Sequence, residues 1–128
     1  IKITALDKIF ADFIKYRDGW RCQRCGGQHQ PGSQGLHNSH FIGRANKAVR
    51  FDPENCDALC YGCHAKWEGA KVTDYRDWKI TQLGQKSYDG LVERSRQIIK
   101  RTPDDLKALR IELAEWLQTA RRSWETRS

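Results

Sequence analysis

The sequence predicts a small α+β protein. Its core of two short strands and a helix is stapled by zinc, with one helix ahead of it and a helical extension behind. Three observations predict this. Cys22 and Cys25 form one Cys-x-x-Cys pair, and Cys60 and Cys63 form a second. Thiolates two residues apart in a tight turn grip one small soft cation, and two such pairs complete a tetrahedral site. The stretch between the pairs alternates turn residues with short β-prone runs, whereas both flanks carry apolar residues at helical spacing. At 128 residues the chain makes one domain. Residues 1–73 are read as the N-terminal helix plus the zinc core, and 74–128 as the helical extension packed on it.

The first helix runs from Thr4 to about Tyr16, with Leu6, Ile9, Phe10, Phe13 and Ile14 on one stripe. Thr4 and Asp7 have the spacing of a capping box, and Asp18-Gly19 ends the helix before the first cysteine pair. Residues 26–35 form a turn-rich loop holding His29, which has no role beyond the loop. Leu36 to Ile42 is a strand candidate, and Ala48 to Phe51 is the candidate for its returning partner. Pro53-Glu54-Asn55 is a turn, and the second cysteine pair opens a short helix from about His64 to Gly69. Beyond Val72 the pattern is helical throughout. Asp74 is read as the cap of a helix ending at Leu83-Gly84, and Ser87 as the cap of another reaching Lys100. Thr102-Pro103-Asp104-Asp105 is a strong start, a cap followed by proline at the first helical position and acids at the positive end of the dipole. The helix that follows carries Leu106, Leu109, Leu113, Trp116, Leu117, Ala120 and Trp124 on one stripe.

Hydrophobic content of 38% and a mean hydropathy of −0.81 indicate a modest core, as suits a metal-stapled fold. The net charge of +7 falls to about +5 when four thiolates and Zn²⁺ are counted. Residues 1–51 hold nine Lys or Arg against three Asp or Glu, while the rest of the chain is nearly balanced. The excess surrounds the first cysteine pair and His40, which favours a polyanionic partner there over a merely soluble surface. Paired x-x spacing favours zinc in a reducing cytoplasm over disulfides or redox chemistry. Cys56, the fifth cysteine, is expected as a small buried apolar residue rather than a ligand. The apolar runs are only a few residues long, so neither a signal peptide nor a membrane span is visible. The chain starts at Ile1 rather than Met, as a trimmed product would.

The segment between the cysteine pairs adds chemistry to the scaffold. His40 ends a strand, His64 directly follows the last cysteine, and Asn55 sits in the turn between them. A neutral imidazole takes a proton from water near pH 7, provided that its tautomer is fixed by a partner on the other nitrogen. A divalent metal neutralises a phosphate and its leaving oxygen. Together these are the needs of phosphodiester hydrolysis. Arg44, Lys47 and Arg50 cluster just after His40, either as phosphate contacts or as separate solvated charges. Trp78, Trp116 and Trp124 lie on helical stripes and are read as core; Trp20 and Trp67 flank the cysteine pairs and are read as shielding the zinc.

At these residues the chain resembles the HNH endonucleases. The pattern is Cys22-x-x-Cys25-Gly26, Asn38-Ser39-His40-Phe41, Pro53-Glu54-Asn55 and Leu59-Cys60-x-x-Cys63-His64. Over most of its length it is also similar to the phage NinG/Rap recombination nucleases, on weaker signals beyond residue 64. That likeness rests on His37-x-x-His40-Phe41, Arg50-Phe51-Asp52, Asn55, Tyr75 and the Leu83-Gly84 stop. The resemblance implies a ββα-metal core and a metal-dependent endonuclease acting on DNA, with products ending in 5′-phosphate and 3′-hydroxyl. It implies His40 as general base, Asn55 as the residue orienting it, His64 as a ligand of a catalytic Mn, Mg, Ni, Co or Zn ion, and the four cysteines as structural zinc ligands. Many HNH enzymes place Asp or His immediately before the base, where this chain has Ser39, a poor ligand. His37 is the nearest substitute, either as second ligand or as a strand histidine bonded within the scaffold.

Two other functions fit the same residues. One is a structure-selective nuclease for branched recombination intermediates, and the other a non-catalytic, zinc-dependent DNA-binding module. The apolar stripes of residues 74–128 are expected to pack on the core and to extend the DNA surface or form a homodimer contact.

Overall fold

The computed structural model describes residues 1–127 of the chain. Helix α1 (Ala5–Arg17) opens with the expected capping box: the Thr4 hydroxyl accepts from the Asp7 amide, and the Thr4 amide donates to the Asp7 carboxylate at 2.7 Å. Its buried face, Phe10 and Ile14 above all, lies on a two-stranded antiparallel sheet of β1 (Leu36–His40) and β2 (Cys56–Cys60). The register pairs Leu36 with Cys60 and His40 with Cys56. Helices α2 (Tyr61–Gly69), α3 (Val72–Leu83), α4 (Gln85–Ser95) and α5 (Pro103–Arg127) follow.

The partner of β1 differs from the expected one. Residues 48–51 run through turns, and the returning strand is Cys56–Cys60. Its residues Cys56, Asp57, Ala58 and Leu59 are all buried, so it shows no in–out alternation by which to recognise it. β1 stops at His40, short of Ile42, because the Phe41 amide bonds the Asn55 carbonyl and leaves the ladder.

Helix boundaries shift as well. α2 begins at Tyr61, because Cys60 itself is the cap, its sulfur accepting from the Cys63 amide at 3.5 Å. α3 begins two residues before Asp74, which lies in its first turn. α4 ends at Ser95, so Ile98 lies beyond it and is exposed. Gly84 (φ +82°, ψ 152°) joins α3 to α4 directly, a backbone geometry open to glycine alone, and Ser87 falls inside the helix. At α5 the Thr102–Asp105 box is present, the amide of each residue bonding the side chain of the other.

The core joins the ends of the chain. Leu113 of α5 is fully buried in one cluster with Phe10, Ile14, Leu36, Phe51 and Leu59, and Leu109, Trp116 and Trp124 pack around it. On the far side of the sheet, Asp57 of β2 meets Lys79 of α3 at 2.7 Å, with the lysine 1% exposed. Arg17 ties α1 to β2 by donating to the carbonyls of Pro53 and Cys56, both at 2.7 Å. No helix is long and apolar enough to cross a membrane among the described residues.

Candidate functional site

The two cysteine pairs converge at one end of the sheet. One sulfur from each of Cys22, Cys25, Cys60 and Cys63 lies within 4.8 Å of the others, the only such gathering of three or more metal-binding side chains among the described residues. Four thiolates about 2.3 Å from a tetrahedral ion stand about 3.8 Å apart, and Cys25 and Cys60 sulfurs are separated by 3.8 Å. The cluster therefore fits a structural zinc. Each pair is shaped to hold thiolates: the Cys25 and Cys63 amides reach the sulfurs of Cys22 and Cys60, both at 3.5 Å. Burial opposes ionisation of Cys22, but the amides around it outweigh that and bring the thiol down to about 6. Gly26, at φ +77°, turns the first pair back so that its amide bonds the Cys22 carbonyl at 2.9 Å.

The two tryptophans that flank the cysteine pairs are both packed against neighbours. Trp20 is buried after the end of α1, with the Lys15 ammonium 5.7 Å from its ring. Trp67 is stacked on Tyr75 at 4.8 Å and carries the Arg24 guanidinium on its other contact, 5.0 Å from the ring. Arg24 also donates to the Cys63 sulfur at 3.5 Å. Cys56 is fully buried away from the cluster, and burial raises its thiol far above the ordinary value.

The histidines lie beside this scaffold in two places. His37 and His64 face each other with their Nδ1 atoms 3.1 Å apart. Two imidazole nitrogens about 2.1 Å from one ion stand about 3.0–3.4 Å apart, so this pair fits two ligands of a single metal. Burial, with His37 adding to it, pushes His64 below the ordinary imidazole value and favours the neutral form that ligates. Glu68, one helical turn beyond His64, places Oε1 3.7 Å from His64 Nε2, the nitrogen that faces away from His37. A carboxylate there orients a ligating imidazole. Sequence inspection passed over Glu68; its signal was the i,i+4 spacing from His64 on one helix face. Ser39 takes no part in this pair: it is 2% exposed and bonded to the Tyr75 hydroxyl at 2.9 Å.

His40 occupies a separate environment toward α1, its ring 6.3 Å from that of Phe10. Its Nε2 is 2.9 Å from the Arg50 carbonyl. A carbonyl only accepts, so Nε2 carries the hydrogen and Nδ1 keeps its lone pair. Burial lowers the His40 pKa, with Arg44 and Arg50 contributing in the same direction. Asn55 organises the loop that brings the Arg50 carbonyl there. Fully buried, it accepts from the Ile42 amide at 2.8 Å and donates to the carbonyls of Ile42 (2.8 Å) and Val49 (3.1 Å).

The basic residues after His40 divide. Arg50 is paired with Asp7 through two bonds of 2.9 and 2.6 Å, and with Thr4 this holds the Asp7 carboxyl down to about 2 despite partial burial. Arg44 donates to the Ile1 carbonyl and stands 4.0 Å from Asp7. Lys47 is exposed. His37, Asn38, His40 and Arg44 border one groove of about 470 Å³, closed on its other side by Lys8 and Lys15 of α1. His29, by contrast, bonds Ser33 within its own loop.

Fold and cluster together define a small α+β protein with a four-cysteine cluster that could hold a structural zinc. Residues 2–123 match the model of the phage family described as Bacteriophage Lambda NinG protein, and the chain belongs to that family. No curated protein and no solved structure matches it at a significant level.

Proposed function

We propose that the protein is a metal-dependent endonuclease of the HNH kind, hydrolysing DNA phosphodiester bonds. The observation that carries the reading is His40: its Nε2–H is fixed on the Arg50 carbonyl, which leaves Nδ1 with its lone pair, and the residue lines a groove flanked by lysines. Nδ1 takes a proton from water, the water oxygen bonds to phosphorus, the bond from phosphorus to the 3′ oxygen breaks, and that oxygen takes a proton from solvent. The products end in 5′-phosphate and 3′-hydroxyl. His37 and His64 are the residues that would hold a catalytic divalent ion, with Glu68 behind His64. When bound, such an ion neutralises charge on the phosphate and on the departing oxygen. Two imidazoles favour Mn²⁺, Co²⁺, Ni²⁺ or Zn²⁺ over Mg²⁺. The four cysteines would hold a structural zinc that ties together the strand and helix carrying these histidines. The likeness to phage recombination nucleases, together with the phage family match, supports branched recombination intermediates as an alternative substrate.

A second reading, a zinc-dependent DNA-binding module without catalysis, has one observation in its favour. Ser39 is locked to Tyr75, so the position before His40 supplies no ligand. Incubating plasmid and branched DNA with the protein across Mn²⁺, Mg²⁺, Co²⁺, Ni²⁺ and Zn²⁺ separates the two. Cleavage with religatable 5′-phosphate ends, lost in His37→Ala and partly restored by raised metal, is the expected outcome. DNA binding without cleavage under every metal selects the second reading.

A further inference from the structure

Helix α1 has two faces, and only one of them is used by the core. Phe10 and Ile14 point into the core, while Lys8 and Lys15 stand along the opposite wall of the groove from His37 and His40. The cationic residues that the sequence places nearest His40 are largely engaged within the protein, Arg50 by Asp7 and Arg44 by the Ile1 carbonyl and Asp7. Asp7 is also the groove's one carboxylate, and those arginines neutralise it. Lys8, by contrast, is exposed, and neither Lys8 nor Lys15 makes an ion pair with an acid among the described residues; the Lys15 ammonium lies 5.7 Å from the Trp20 ring. Asp12, on the same helix, is not part of the groove lining.

We infer that α1 is the phosphate-binding wall of the site, with Lys8 and Lys15 contacting the DNA backbone on either side of the phosphate presented to His40. This rests on the nuclease reading above and names the residues that hold its substrate. Seven helical residues rise about 10.5 Å. One DNA strand places a phosphate about every 3.4 Å along the duplex axis. The two lysine positions are therefore about three phosphate steps apart, which leaves about two phosphates between them over the groove. Lysine serves here as a point charge on a flexible stem, which positions a backbone without reading its sequence.

The test is the salt dependence of binding to a short duplex, without added divalent metal, for the parent, Lys8→Ala, Lys15→Ala and the double variant. Each lost phosphate contact lowers the slope of log affinity against log salt by about 0.9, so the double variant is expected to fall by about 1.8. The loss should be equal for unrelated sequences, and Lys86→Ala on α4 should keep the parental slope. A double variant with the parental slope, beside a parent that binds and cleaves, would overturn this inference and leave the nuclease reading standing. An equal fall in Lys86→Ala would also overturn it, by showing diffuse charge instead of a wall. A parent that binds no DNA would overturn both.

Discussion

At His40 a single backbone oxygen decides where the ring keeps its proton. The Arg50 carbonyl holds the Nε2 hydrogen, and burial beside Arg44 and Arg50 disfavours a second proton on Nδ1. The sign of the pH dependence follows. The folded pKa lies below the unfolded value near 6.5, so the ring stays a competent base into mildly acidic solution. Cleavage measured with saturating metal is expected to be flat above the ordinary imidazole range and to fall as pH drops through the lowered folded pKa. Stability moves in the same direction: nothing is lost above about 6.5, and stability erodes below it as the unfolded chain takes up a proton that the fold resists. An acid limb centred above 6.5 would contradict the assigned environment. Asn55 makes a second residue-scale test. Asn55→Ala leaves the amide and carbonyl of Ile42 and the carbonyl of Val49 without their buried partner, which should cost about 2–4 kcal/mol. Chemical denaturation reads the stability, and cleavage should fall with it because the Arg50 carbonyl loses its position.

At the scale of elements, the parts that were legible in the sequence are those with local signals. Thr4–Asp7 and Thr102–Asp105 cap their helices as the spacing indicates, and the paired cysteines meet. β2 was not legible because it is buried on both faces, and its one charged residue is matched by a lysine 22 positions away. Lys79 reads as a surface residue in isolation; only the fold shows that it is buried against Asp57. The pairing of Arg50 is hidden for the same reason, since its partner Asp7 lies 43 positions earlier and the sequence offers only a phosphate contact or a solvated charge. At the candidate site His40, Asn55 and His64 stood out by position, whereas the His37–His64 contact depends on strand register against helix start. The cysteine element is expected to be indispensable. Cys60→Ser removes a shared ligand and the cap of α2, and zinc affinity on the order of 10 kcal/mol is folding free energy in such sites. Metal analysis and circular dichroism should show a zinc-free, largely unfolded chain; a folded, zinc-free variant would refute the scaffold role.

Across the whole molecule, the last helix closes a core that the first helix opens. Leu113 is fully buried against residues of α1 and the sheet, so Leu113→Ala should cost about 2–5 kcal/mol in denaturant unfolding while leaving zinc content unchanged. A cost below 1 kcal/mol would show α5 to be a loosely held appendage. In the same architecture the cysteines and α5 stabilise, Lys8 and Lys15 of α1 line one side of the groove, and His37 and His40 line the other. We propose that this groove performs hydrolysis with His40 as base. This is tested most directly by measuring duplex binding and single-turnover cleavage in parallel for the parent and His40→Ala at saturating Mn²⁺. The expected result is unchanged affinity with cleavage reduced by roughly 10² to 10⁴-fold, the usual worth of a positioned general base. Cleavage by His40→Ala at the parental rate would contradict the account.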